Sequence, residues 1–413
     1  MKNLVGDVST AARILPELDG ETLIIKQGKG AYLWDIHGKR YVDTALGFGA
    51  ILVGHANETI NEAVIGALNH GANLSWAHES EHAAATALAE CAEELSKVMF
   101  VNSGSEAVHL ACRAARAFTG KTRIAKAAAG FDGWFDEVTL GNIKSTEAEF
   151  TAADVRPANS GFTVFRYNDF DDIEHLFETQ KDIAAVLIEP MLANAGCILA
   201  AEGYLEHVRE VAHRHGALLI CDEVLMGFRR HAGLTSHLMG VRPDIVTVGK
   251  AIGNGVPVAA VLSTPEILDS FEKNKTLRGG TYSGNPLAAQ ATISTIETLK
   301  KADYRVLTQR GERLAQGIKN IFAENGVHVS ITGYGNVFTV WLGEKAPQSY
   351  SESLVIADTE FSRDLHLELR REGVLIMPSP YGRIYISFEH GEDVINEILA
   401  AFEKAATRLR HYA

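Results

Sequence analysis

Three short stretches of the chain, 184–188 (AAVLI), 217–221 (ALLIC) and 245–248 (IVTV), are apolar almost without interruption. A strand with one wet face alternates polar and apolar residues, so strands that do not alternate are covered on both faces. Helical periodicity appears around them, at 103–119, closed by Gly120, and at 203–215. Two further strands fit at 98–101 and 122–127. Apolar strands alternating with helices of this length predict an α/β fold whose large sheet is mainly parallel.

The ends of the chain have another rhythm. Residues 22–45 run as short alternating segments punctuated by Gly28, Gly30 and Gly38, which predicts small antiparallel strands. Helices are expected at 57–71 and, rich in alanine, at 81–96. The polar segment 141–160 has no clear period and reads as a long loop, a kind of segment that is often functional. Beyond Asn285 a helical pattern continues to about Lys301, and a second helix spans 304–325. Strands at 328–332 and 337–342, a helix at 358–372, strands at 374–377 and 383–388, and a closing helix from Glu392 follow. A chain of 413 residues exceeds what one small core can organise. The expected division is a large domain over 51–302, a smaller α+β domain over 303–413, and an N-terminal segment, 1–50, packing with the small domain.

The net charge of −13 argues against nucleic acid or an anionic membrane as partner. The N-terminal residues lack the apolar core of a signal peptide, and no apolar run approaches a membrane span. Cys91, Cys112, Cys197 and Cys221 are scattered without a paired spacing, which reads as free thiols in a reducing cytoplasm. The histidines show no ligand spacing, so no metal is expected.

Lys250 follows the strand 245–248 directly, with Gly253, Gly255 and a second apolar run, 256–262, just behind it. A lysine enclosed this way either lays its stem on apolar surface with its ammonium in water, or keeps a desolvated amine that serves as a nucleophile. Asp222 and Glu189 each end or follow an apolar strand, where α/β folds place site residues, and Asn194 follows in a short loop. Ser103, Gly104 and Ser105 form a strand-to-helix turn, which reads either as a plain helix cap or as a phosphate cradle of backbone N–H groups and hydroxyls. Residues 279–286 (GGTYSGNP) make a glycine-rich turn into a helix and offer Thr281 as a donor. Neither a Walker A loop nor a GxGxxG turn is present.

Taken in order, GHA at 54–56, VNSGSEAV, IEPMLANAG, LLICDEVLMGFR, TVGKAIGNGVPVAA and GGTYSGNP resemble the class III aminotransferases. These are pyridoxal-phosphate enzymes of fold type I, and the likeness is greatest to members of the glutamate-1-semialdehyde aminomutase kind. The resemblance implies that Lys250 holds pyridoxal 5'-phosphate as a Schiff base and moves a proton, while Asp222 pairs with the pyridine nitrogen. It also implies that Gly104 and Ser105 hold the phosphate, that Phe131 stacks on the ring, and that Glu189 and Asn194 lie near the ring hydroxyl. Thr281 would reach the cofactor across the interface of a homodimer with shared active sites. Two positions depart from the family pattern. Phe131-Asp132-Gly133 stands where Tyr-His-Gly is usual, and Gly382 follows Tyr381 where aminomutases carry a glutamate. Arg383 beside it reads as a solvated surface residue or as a contact for a substrate carboxylate. The expected activity is transfer of an amino group from a donor, an amino acid such as glutamate, to an aldehyde or ketone acceptor. An aminomutase, an amino-acid epimerase and a non-catalytic cofactor-binding homologue are the alternatives.

Overall fold

The computed structural model describes residues 3–142 and 161–413. The long loop expected at 141–160 therefore lies almost wholly outside the described residues. Strands β1 (Ile25–Lys29), β2 (Tyr32–Asp35) and β3 (Arg40–Asp43) form an antiparallel meander. The central strands are β4 (Lys97–Val101), β5 (Arg123–Ala127), β6 (Phe162–Phe165) and β7 (Ile183–Ile188). After the small hairpin β8 (Met191–Leu192) and β9 (Ile198–Leu199) come β10 (Leu218–Glu223), β11 (Ile245–Val248) and β12 (Ala259–Ser263). The C-terminal part adds β13 (Val329–Gly333), β14 (Val337–Leu342), β15 (Val374–Leu375) and β16 (Ile384–Tyr385).

The large sheet has seven strands in the order β4-β12-β11-β10-β7-β5-β6. Every neighbouring pair is parallel except those made by β12, which runs against both β11 and β4. Strands β7, β10 and β11 are buried at every residue, which explains their lack of alternation. The helix Gly104–Thr119 packs on β11 and β12 through a buried stripe of Ala107, Val108, Ala111, Cys112, Ala114 and Ala115. So many small side chains let its axis approach the sheet closely. The arrangement is a mainly parallel α/β sheet accompanied by smaller sheets, as expected from the sequence. No described helix is long and apolar enough to cross a membrane.

Several expectations need adjustment. The second helix covers only Glu79–Ala89, not 81–96. Glu93 takes a left-handed φ of 52°, and turns there swing Ala92 and Leu95 into the core. The strand expected at 217–221 extends to Glu223, so both carboxylates sit within the ladder. The strands expected at 374–377 and 383–388 shrink to two residues each. Strand β6 and the helices Phe170–Thr179, Pro265–Glu272 and Tyr350–Ile356 were not expected from the sequence pattern.

The N-terminal strands join the C-terminal part, because β15 pairs in parallel with β3. Arg370, buried on the helix Thr359–Arg371, ties down the chain before β1 by donating to the carbonyls of Pro16 (2.9 Å) and Glu21 (3.2 Å). A charged donor bonded to carbonyls contributes roughly 1.5–3 kcal/mol per bond. Arg370→Ala is therefore expected to lower stability by about 2–4 kcal/mol in denaturant titration. It should also speed limited proteolysis within residues 14–22. Unchanged cleavage there would show that this segment is held by other contacts.

Candidate active site

Parallel strands in register bring their carboxyl ends to one edge of the sheet. Cys221 lies opposite Ile188, Glu223 opposite Val248, and Lys126 opposite Leu187. Asp222, at the end of β10, and the residues that follow the other strands, Glu189, Lys250 and Phe131, thus gather at this edge, and β4 delivers Ser103 to it through β12. They surround a cleft of about 280 Å³ that is lined by Ser103, Gly104, Ser105, Phe131, Glu189, Asn194, Asp222 and Lys250. Such an edge is where ligands bind in open α/β sheets. Thr281 does not line this cleft; it is exposed, and its carbonyl accepts from Asn73 Nδ2 at 3.0 Å.

Lys250 sits just past β11 with a left-handed φ of 43°, a backbone state that costs energy for a side-chain-bearing residue and clusters at functional sites. The turn is locked from behind by Asn254, whose amide accepts from Val53 N (3.1 Å) and donates to Gly54 O (3.0 Å). Burial pulls the Lys250 ammonium down to about 8; Asp222 and Glu189 oppose this, while Arg383 and Arg229 add to it. The amine therefore has a substantial neutral fraction near neutral pH, the form that attacks carbonyls.

The two carboxylates at the end of β10 divide their work. Glu223 is fully buried and accepts from the Thr235 and Ser236 backbone N–H groups and the Ser236 hydroxyl, so it serves the fold. Asp222 Oδ1 accepts from Val224 N (2.9 Å) and Thr247 Oγ1 (2.8 Å), and no donor reaches Oδ2 among the described residues. Burial, followed by the charge of Asp132, pushes the Asp222 carboxyl up to about 7. Burial and both neighbouring aspartates likewise raise Glu189, whose Oε1 accepts from the Phe131 N–H at 3.0 Å. Phe131 is 45% exposed, an apolar ring left open at the cleft wall.

At the head of the helix Gly104–Thr119, Ser103 and Glu106 form a capping box. The Glu106 carboxylate takes the N–H groups of Asn102 (2.7 Å) and Ser103 (3.0 Å), and Ser103 Oγ takes the Glu106 N–H. The N–H groups of Gly104 and Ser105 have no partner among the described residues, and both residues line the cleft. A Cβ at Gly104 would lie 2.8 Å from Val224 Cγ1, so any larger residue there would force Val224 to shift. The Ser103 hydroxyl is thus committed to the cap, while the next two amides stay available to an anion.

Arg383 is not a solvated surface residue. It is partly buried, donates to Tyr385 Oη at 2.9 Å, and lies near enough to Lys250 to depress its ammonium. Sequence reasoning also passed over Lys126 and Asp132, both fully buried at this edge. A lysine inside the otherwise apolar run IAKA, residues 124–127, was the available signal.

A family model described as aminotransferase class-III matches residues 16–405. A glutamate-1-semialdehyde 2,1-aminomutase of Thermoplasma volcanium is 34% identical over 395 residues, covering 93% of this chain and 92% of the relative. The aminomutase of Persephonella marina is 32% identical over 412 residues, covering 98% and 96%. Among solved structures, an omega-transaminase from Sphaerobacter thermophilus is similar with a TM-score of 0.89 and 31% identity, covering 98% of this chain and 94% of that one. A beta-phenylalanine aminotransferase from Variovorax paradoxus is similar with a TM-score of 0.85 and 28% identity, covering 97% and 90%.

The site predicts two pH windows for stability of the cofactor-free protein. Asp222 is raised from 3.8 to about 7, so between those values the folded state holds a proton that the unfolded chain has lost, and stability falls as pH rises. Lys250 is lowered from 10.5 to about 8, so across that interval the unfolded chain holds the extra proton and stability rises with pH. Denaturant titrations at stepped pH should show Asp222→Asn weakening the first slope and Lys250→Met the second. Slopes unchanged in the variants would mean that neither group titrates as its surroundings dictate.

Proposed function

The chain belongs to the class III aminotransferase family, a family of pyridoxal-phosphate enzymes, and on that premise we propose that it transfers an amino group from an amino-acid donor to an aldehyde or ketone acceptor. The observation that carries the proposal is the meeting of Lys250 and Asp222 in one cleft, each with its titration displaced toward neutral pH. The residues present fit the cofactor. Lys250 supplies an amine for its carbonyl, and Asp222 Oδ2 a free oxygen for its ring nitrogen. Phe131 supplies an apolar wall for its ring face, and Gly104 and Ser105 unspent N–H groups for its phosphate. When bound, the cofactor supplies an electron sink for the carbon whose proton is removed.

The protein's own part is binding and proton handling. Lys250 Nζ, neutral in substantial fraction near pH 8, would hold the cofactor and would take and return the proton at the substrate carbon. Asp222 keeps the ring nitrogen charged. Glu189 and Asn194, which line the same cleft, would hold the ring's hydroxyl side. Arg383 is the cation we assign to a substrate carboxylate. It sits near Lys250, and its guanidinium is already oriented by Tyr385.

The exposed apolar residues Trp76 (84%), Leu277 (79%) and Tyr282 (64%) support a homodimer in which a second copy covers this face and brings its Thr281 to the cleft. A second reading, an aminomutase, is favoured by the names of the relatives from Thermoplasma volcanium and Persephonella marina. Gly382, in place of the glutamate that the aminomutase pattern carries, favours transfer.

The test is a visible absorption spectrum of the purified protein, recorded before and after adding one amino donor with no carbonyl acceptor. Loss of the lysine-bound cofactor band with stoichiometric formation of pyridoxamine phosphate is the expected result. Lys250→Ala should lack the band and lose turnover by at least about 10³-fold, the scale on which a covalent and acid–base group acts. A band that no donor discharges, with turnover of an amino-aldehyde in the absence of any second substrate, would replace transfer by the aminomutase reading.

A further inference from the structure

Behind Asp222 lie a second carboxyl and an ammonium that the proposed chemistry does not use. Lys126, the penultimate residue of β5, is completely buried. Its Nζ donates to the carbonyls of Gly130 (2.9 Å), Val138 (3.0 Å) and Leu140 (3.3 Å) and to the Asn142 side-chain oxygen. It also lies 3.5 Å from Asp132 Oδ2, with both side chains sealed from solvent. The segment 130–142 is thus wound around one ammonium. The other oxygen of Asp132, Oδ1, is buried without any hydrogen-bond partner. Asp132 and Asp222 both line the cleft, and after burial the charge of Asp132 is the largest influence on Asp222. Asp222 has one oxygen to spare, since both protein donors reach Oδ1.

A buried carboxylate oxygen without a donor is costly. Two adjoining buried carboxyls do not both ionise readily and tend to share a proton. Only Asp132 has an ammonium in ion-pair contact. We propose that Lys126 and Asp132 are positioning residues for Asp222: the ammonium keeps Asp132 ionised, and the Asp132 carboxylate holds a proton on Asp222 until a basic ring nitrogen takes it. The identity of that base rests on the pyridoxal phosphate reading; the proton on Asp222 does not. The charges balance throughout. Before binding, Lys126 and Asp132 cancel, and Asp222 and the pyridine nitrogen are neutral. On binding, the Asp222 O–H bond breaks and a pyridinium N–H bond forms, which leaves two carboxylates against an ammonium and a pyridinium. The remaining groups around Asp222 are Glu189, Lys250 and the thiols of Cys112 and Cys221. Burial raises both thiols, so they stay neutral, and Glu189 is raised well above the ordinary carboxylate range. Burial raises Asp132 too, but of these carboxyls Asp132 alone has, among the described residues, an ammonium within ion-pair distance to oppose that rise.

The test uses the full-length protein without cofactor. Infrared difference spectra between each protein and its Asp222→Asn counterpart isolate the protonated Asp222 band, which is followed against pH. In Asp132→Asn, close in shape and uncharged, the midpoint of that band is expected to fall by about one pH unit or more. Calorimetry of pyridoxal phosphate binding at pH 7, in buffers of different ionisation heat, should then show uptake of up to one more proton per site than the wild-type protein. An equal midpoint and equal proton count in wild type and Asp132→Asn would overturn the proposal and leave the pair as a staple for residues 130–142. Lys126→Met should raise the Asp132 midpoint; if that variant does not fold, Asp132→Asn alone decides. Failure of the wild-type protein to bind pyridoxal phosphate would sink the cofactor reading while leaving the infrared titration to settle the proton on Asp222.

Discussion

The parallel pairing of β10 with β7 and β11 is the constraint from which the site follows. Because Cys221 is opposite Ile188 and Glu223 opposite Val248, β10 and β11 end level with each other and β7 ends two residues short of them. A shift of one residue in any of them would turn its site side chain to the opposite face of the sheet. Asp222 would then point into a helix-covered core, and Glu223, now held by the Thr235–Leu238 turn, would take the cleft. The hydrogen bonds made by Glu223 therefore fix which of two adjacent carboxylates meets a ligand.

Gathering charges at that edge has an electrostatic cost, and the structure meets it by pairing. Three carboxyls, Asp132, Asp222 and Glu189, and two amines, Lys126 and Lys250, are enclosed together. An isolated buried charge would neutralise itself. Here each partner's field opposes what burial alone would do: Asp222 raises Lys250, and Lys250 lowers Asp222. The result is groups displaced toward neutral pH but not silenced, the condition under which proton transfer is efficient.

Much of this was legible in the sequence, and the reasons are physical. Asp222, Glu189 and Lys250 stand out because each is a charge directly after, or ending, a strand too apolar to be wet on either face. Gly104 and Ser105 stand at a strand-to-helix junction that any reading of turns would mark. The helix 81–96 was overread because alanine and glutamate favour helix locally, whereas burial of Ala92 and Leu95 bends the chain. Arg383 was left between two readings because arginine is usually wet; its orientation depends on Tyr385, to which it donates. The relation of Lys126 to Asp132 could not be read at all, since no spacing rule says that residues 130–142 fold back over the end of β5. Thr281 marks another boundary, because what a second copy covers is not encoded by periodicity in one chain.

The departure at Phe131-Asp132-Gly133 gains meaning from these contacts. Where the family pattern has histidine, a group that can be neutral, this chain has a carboxylate in a sealed position. A histidine there would need no counter-charge, but Asp132 does, and Lys126 lies 3.5 Å away to supply it. A neutral neighbour would leave Asp222 to be governed by burial, by its bonds from Val224 and Thr247, and by Lys250. An anionic neighbour adds to its proton affinity and to the stability of any cation that Asp222 later faces. The same substitution that removes a polar ring from the cleft wall therefore increases the negative field behind it, on the side where a pyridine nitrogen would gain charge.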